Sequence, residues 1–348
     1  MSKLELLAPS NDLQSFQSLE ERHGLDFVGP DQAMLDAFVE RCDKIGSLDD
    51  HDLALISTLG LAEAGRIRLN LPGRFLRTPL SPRQKKSINT SETEEVAKAS
   101  VKIQDSLTNV PIDESLERFI PIESAFAAHS ITASYSKLPF HEACGNWAGK
   151  QRLFWVRENF GQHLALLGLL VAKIGLSLHF EDAFRPVGVQ EGLFKRRVEW
   201  TMTDHPKWSK DRVIEEARSK TAITPRLASH KAGAAVDLRL TSASSLLDIG
   251  HDYPEGGALV YLHSPFVTQE QWQNRQTLYV ASKLAGLAMY VGEDWHLSYG
   301  DNLASLDENL EPRRGYVARY GPIKDFDPKT GEITEIYTPE ELDKVFEI

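Results

Sequence analysis

The chain has 348 residues, 41% of them hydrophobic and 26% charged, an ordinary globular balance with room for two domains. Its 39 Lys and Arg stand against 50 Asp and Glu, and the net charge of −11 argues against nucleic acid as a partner. Two cysteines, Cys42 and Cys144, are too few and too far apart for a disulfide framework or a C-x-x-C metal site, and read as free thiols of a reducing compartment.

The opening residues, MSKLELLAPSNDLQSF, lack the basic flank, apolar core and cleavage site of a signal peptide. The most apolar run, Leu164 to Leu176, is shorter than the roughly 20 residues a bilayer-spanning helix needs. A cytoplasmic protein with no membrane partner is expected. Residues 1–117 read as a mostly helical region, with Met34, Leu35, Phe38 and Val39 at helical spacing. Within it, residues 81–100 are polar and charged, as a linker or exposed loop would be.

From Arg118 the pattern becomes α+β. Phe160, Leu164, Leu167, Val171 and Ile174 share one face of a helix that Gly175 can cap. A strand over Leu176 to Asp182 runs into a turn, and two helices follow over VQEGLFKRRVEWTM and WSKDRVIEEARSK. In AVDLRL, Asp237 points away from the apolar set Val236, Leu238 and Leu240. A helix from Thr268 to about Leu284 precedes AMYVGEDWHLSYGD, which reads as a strand pair or a bent strand. These elements suggest a domain over 118–321, and residues 322–348 form a tail of turn, short strand and last helix.

Three stretches hold a chemically coherent set. In SHKAGAAVDLRL, a fully extended chain from His230 to Asp237 would span about 23 Å. If both side chains serve one point the backbone must bend, most easily at Gly233. EDWH supplies Glu293 and His296, and EDAFRP supplies Arg185. Two imidazoles and a carboxylate suit Zn²⁺ with a fourth position open to water, which makes His230, Asp237 and His296 candidate ligands for one zinc per chain. Glu293 could then take the proton of an acidified water, and Arg185 could stabilise an oxyanion. Each residue alone has a plainer reading, as a hydrogen-bonded structural histidine, a solvated turn acid or a surface ion pair. Glu293 and His296 also have opposite parity, so a flat strand would aim them apart unless a bulge or twist intervenes.

Taken jointly, ASHKAGAAVD, EDWH and Asp182-Ala183-Phe184-Arg185-Pro186 resemble the D-alanyl-D-alanine dipeptidases, part of a larger group of zinc D,D-peptidases that includes carboxypeptidases. NWAGK (Asn146 to Lys150) and NRQTL (Asn274 to Leu278) add to the resemblance, which runs from about Arg118 to Gly321. It implies an α+β fold whose central antiparallel sheet, flanked by helices, holds one zinc. It also implies His230, Asp237 and His296 as ligands, Glu293 as general base and acid, and Arg185 as the cation beside the oxyanion.

Two departures concern the substrate. Ala228 stands where the family has a serine, with Ser229 next door. Pro254 stands where the family has an acid that helps hold the dipeptide's free amino group, leaving Asp252 or Glu255 to compensate. Ser229, Asp252, Tyr253 and Trp295 are candidate substrate-binding residues, with Trp295 expected to pack beside the metal rather than touch substrate. The resemblance therefore implies hydrolysis of small D-amino-acid dipeptides such as D-Ala-D-Ala, linked to peptidoglycan. The alternatives are a D,D-carboxypeptidase, a peptidase for N-blocked or unusual dipeptides, and a catalytically silent zinc-binding module. A non-haem iron oxygenase fits less well, because those enzymes usually show H-x-D. The partner expected is a small peptide substrate; a homo-oligomer is compatible with the sequence.

Overall fold

The computed structural model describes residues 4–10, 13–61, 66–243, 245–307 and 309–346, so parts of the 1–117 and 322–348 segments lie outside the described residues. The chain forms two compact units, each gathered from three segments. The first is Met1–Thr93, His163–His179 and Arg239–Trp295; the second is Glu94–Gln162, Phe180–Leu238 and His296–Ile348.

In the first unit, the helix Gln32–Ile45 forms where the apolar spacing places it. It buries Leu35, Phe38, Cys42 and Ile45, and the Asp31 carboxylate caps it by accepting from the Met34 amide. The helix Gln269–Leu284 starts at a capping box in which Thr268 and Gln271 satisfy each other's backbone amides. Its Trp272 ring lies 5.3 Å from Phe38 and 5.7 Å from Phe75. Its buried amides bond to backbone, Gln269 Nε2 to the Asp31 carbonyl at 2.9 Å and Gln273 Nε2 to that of Met34 at 2.8 Å. The helical reading of this region is incomplete, since Leu4–Ser10 pairs in parallel with Ile67–Pro72, and Phe27–Val28 pairs antiparallel with Phe75–Leu76. Ile67–Pro72 alternates buried and exposed positions, the period of a half-buried strand.

Residues 81–100 are mostly helical rather than an exposed loop: all but Ser81 and Glu92 lie within Pro82–Ser91 and Thr93–Leu107. The physical reason sits at the start of the stretch. Ser81 accepts from the Gln84 amide, Gln84 answers to the Ser81 amide, and Pro82 occupies the first turn, where its missing N–H costs nothing. A few buried residues, Ile88, Ile103 and Leu107, replace the dense apolar stripe that usually announces a helix.

In the largest sheet, strands Ala133–Tyr135, Leu176–Asp182, Ala235–Ser242 and His296–Ser298 follow one another in that order. The fold is a mixture of α and β, with strand pairing spread over several sheets among the described residues. Phe119–Pro121 pairs antiparallel with Trp155–Arg157, and the tail forms the hairpin Ile323–Phe326 with Ile333–Ile336. Phe326 stacks on Phe119 at 4.5 Å and meets Phe184 edge-on at 5.1 Å. Among the described residues, no helix is long and apolar enough to cross a membrane.

Candidate metal centre

His230 sits in the short 3-10 turn Ser229–Ala232, which ends at Gly233 with φ +65°. That left-handed conformation favours glycine, and space demands it as well: a Cβ there would lie 2.1 Å from the Phe119 ring. The chain folds back at this residue and enters the strand Ala235–Ser242. His230 is buried, with Nδ1 2.7 Å from the Ala183 carbonyl. A carbonyl can only accept, so Nδ1 carries the proton and Nε2 keeps its lone pair for a metal. That Nε2 lies 3.2 Å from Asp237 Oδ1.

Asp237 and His296 are set by strand register. His296–Ser298 pairs antiparallel with Ala235–Asp237 so that His296 stands directly opposite Asp237, and side chains so placed share a face. His296 Nδ1 is 3.0 Å from Asp237 Oδ1, and Ser298 Oγ is 3.3 Å from His296 Nε2. One ligand atom from each of His230, Asp237 and His296 lies within 4.8 Å of the other two, and all three residues are buried. Tetrahedral zinc with bonds of about 2.0–2.2 Å separates its donors by roughly 3.4 Å. The two short separations are close to that, and the donor set is one that zinc accepts.

The electrostatics agree with this donor role. Burial, reinforced by the nearby Arg185 charge, pushes the His230 imidazole below its ordinary value and keeps it neutral. Burial alone would raise the Asp237 carboxyl, but the His230 and His296 rings hold it well below the usual carboxylate range.

Arg185 belongs to the same cluster. Its NH2 group donates to Asp237 Oδ2 at 3.1 Å, Nε to Asp182 Oδ2 at 2.9 Å, and NH1 to Gln190 Oε1 at 3.2 Å. Asp182 uses its other oxygen to accept from the Ala183 amide at 3.0 Å, and Gln190 Nε2 reaches Thr221 at 2.9 Å. The guanidinium is thus held in place on the oxygen of Asp237 that faces away from both imidazole contacts.

A family model described as D-ala-D-ala dipeptidase matches residues 139–313, half of the chain, and spans this cluster. The chain belongs to the D-Ala-D-Ala dipeptidase family. Its members are zinc metallopeptidases, and this protein is one of them. No curated protein matches the chain.

The other candidate residues of this dipeptidase-family chain are placed as follows. Glu293 lies half-buried in a turn, its amide 3.2 Å from the Tyr290 carbonyl, and the strand begins only at His296. The parity objection therefore lapses without a bulge, because Glu293 is not a strand residue. Ser229 is buried and hydrogen-bonds the Asp301 carboxyl. Asp252 is exposed, and Tyr253 is half-buried with its ring 5.4 Å from that of Trp295, which is itself buried.

Sequence reasoning missed the buried network around Asp294. His251 Nε2 lies 2.9 Å from both Asp294 oxygens, and Arg275 Nε lies 2.8 Å from Oδ2. Arg275 also donates to the carbonyls of Ile249, Tyr261 and Leu259, at 2.8, 2.7 and 3.0 Å. Asp294 is therefore a sealed ion-pair partner rather than a solvated turn acid. The available signal was NRQTL, the motif that contains Arg275.

Proposed function

We propose that this zinc peptidase hydrolyses the peptide bond of small D-amino-acid dipeptides such as D-Ala-D-Ala, in the cytoplasm, through a catalytic region spanning 118–321. The observation that carries the reading is the junction of the His230–Asp237–His296 trio with Arg185 on Oδ2 of Asp237, inside the family match. Zinc held by these three residues would acidify a water toward a pKa of about 7 and polarise the scissile carbonyl.

The chain's own groups do the rest. Glu293 accepts the proton of the attacking water and returns it to the leaving amine. It is tied to His296 by three residues of chain, at most about 11 Å. Arg185, fixed by Asp182, Gln190 and Asp237, faces the oxygen on which charge develops, and being held already it needs little reorganisation as the reaction proceeds. Ser229, Asp252 and Tyr253 contact the dipeptide, with Trp295 packed beside the metal.

A second reading, a carboxypeptidase or a peptidase for N-blocked dipeptides, is favoured by Ala228, which offers no polar group, and by Pro254, which offers no charge where the family has an acid. Ser229 already bonds Asp301. An incoming ammonium with no charged partner would forfeit roughly 1–3 kcal/mol. The experiment is release of D-alanine by the zinc-loaded protein from free and from N-acetylated D-Ala-D-Ala. A strict dipeptidase cleaves only the free form, and cleavage of the blocked form selects the second reading. If zinc binds and neither is cleaved, both readings fail.

A further inference from the structure

Arg157 is fully buried, and every N–H of its guanidinium has an acceptor. Nε donates to the Ala232 carbonyl at 2.7 Å. NH1 donates to Glu114 Oε1 at 3.0 Å and to the Glu117 carbonyl at 2.7 Å. NH2 donates to Glu114 Oε2 at 3.0 Å and to the Gly321 carbonyl at 3.3 Å. The rings of Phe119 and Tyr320 flank it at 4.7 and 5.2 Å. Its own backbone amide donates to the Gly233 carbonyl at 2.9 Å.

Ala232 and Gly233 close the turn that presents His230. That turn is weakly self-bonded, through Lys231 N to Ala228 O at 2.9 Å and Gly233 N to His230 O at 3.3 Å. Its orientation therefore depends on outside grips. They include the Ala183 carbonyl on the His230 ring, the Arg185 amide on the His230 carbonyl, the Asp301 carboxyl on Ser229, and Arg157 on the carbonyls of Ala232 and Gly233. The rigid fork of arginine suits this task, since lysine offers a single point charge. Glu114, Tyr320 and Gly321 lie outside the 139–313 family match, so this chain's own flanking segments complete the grip.

We propose that Arg157 is a positioning residue for the metal ligand His230, acting through the Ser229–Gly233 turn and oriented by Glu114; the proposal rests on the zinc-centre reading. Loss of a group that orients a ligand typically weakens metal binding 10–100-fold. The test is zinc affinity of the full chain, measured by chelator competition, beside urea unfolding of the metal-free protein. Arg157→Lys should remain folded and bind zinc at least tenfold more weakly. Glu114→Gln, which keeps the guanidinium and removes the charge that aims it, should weaken zinc in the same direction by a smaller factor.

A purely structural role would lower the unfolding midpoint and leave the zinc affinity of the folded protein unchanged, and that result in Arg157→Lys overturns the proposal. If Arg157→Lys fails to fold, unchanged affinity in folded Glu114→Gln overturns it instead. A parent protein that binds no zinc would bring down the metal-centre reading itself, which is distinguishable from either.

Discussion

Glu293 and Asp294 are chemical neighbours with opposite surroundings. Asp294 is enclosed by Arg275 and His251, so its oxygens are committed to a buried ion pair with Arg275 and a hydrogen-bond contact with His251. Glu293 stays half-buried in its turn. It is no part of the trio that gathers around the metal position, so its loss should leave that position intact. Glu293→Ala is expected to retain one zinc per chain by elemental analysis while turnover falls by roughly 10²–10⁴, the usual contribution of a positioned general base. An active variant would remove Glu293 from the mechanism. The same neighbourhood shows a limit of reading acids from sequence. Both residues look like solvated turn carboxylates until the helix carrying Arg275 is folded against one of them.

At the scale of elements, the helix Gln32–Ile45 was legible because one face is buried and the apolar period records it, and the strand Ala235–Ser242 because Val236, Leu238 and Leu240 alternate, although its other face, which carries Asp237, is buried too. Pro82–Ser91 and Thr93–Leu107 were not, since their apolar residues are sparse and the capping box at Ser81 was the available cue. The glycine bend before Asp237 was legible too, and it carries a sharp consequence. Gly233→Ala would put an L-residue at φ +65° and a methyl 2.1 Å from Phe119. The backbone conformation alone costs roughly 1–2 kcal/mol, and the overlap adds to it. We expect a lowered urea midpoint together with weakened zinc binding, because the displaced turn carries His230. Wild-type stability in that variant would show that the bend is not required.

For the whole molecule, composition changes along the chain mark segments, whereas each compact unit collects segments far apart in sequence. The tail illustrates the difference. Lying beyond the family match, it looks dispensable, yet Phe326 stacks on Phe119, Ile323 joins Phe119 and Phe184, and Phe346 packs with Phe194, Val198, Val213 and Ala217. Fully burying one such aromatic contributes about 1.5–3 kcal/mol, so removing three or four large apolar side chains rivals the stability of a typical domain. Truncation before Ile323 should therefore yield insoluble protein or a melting temperature lowered by more than 10 °C, measured by soluble yield and thermal unfolding. A truncated chain that melts like the parent would show that the tail carries little of the core.

Residue chemistry and local periodicity were enough to name the two imidazoles, the carboxylate, the glycine between them and the arginine, because ligand chemistry depends on residue type and bending depends on φ. Which nitrogen of His230 is free, which oxygen of Asp237 Arg185 takes, and that His296 stands opposite Asp237 were settled by strand register and by the Ala183 carbonyl just past the end of another strand. The grip of Arg157 and the sealing of Asp294 were likewise decided by tertiary structure. Each is an interaction between groups distant in sequence, and one-dimensional pattern holds no record of which distant partner a buried charge will meet.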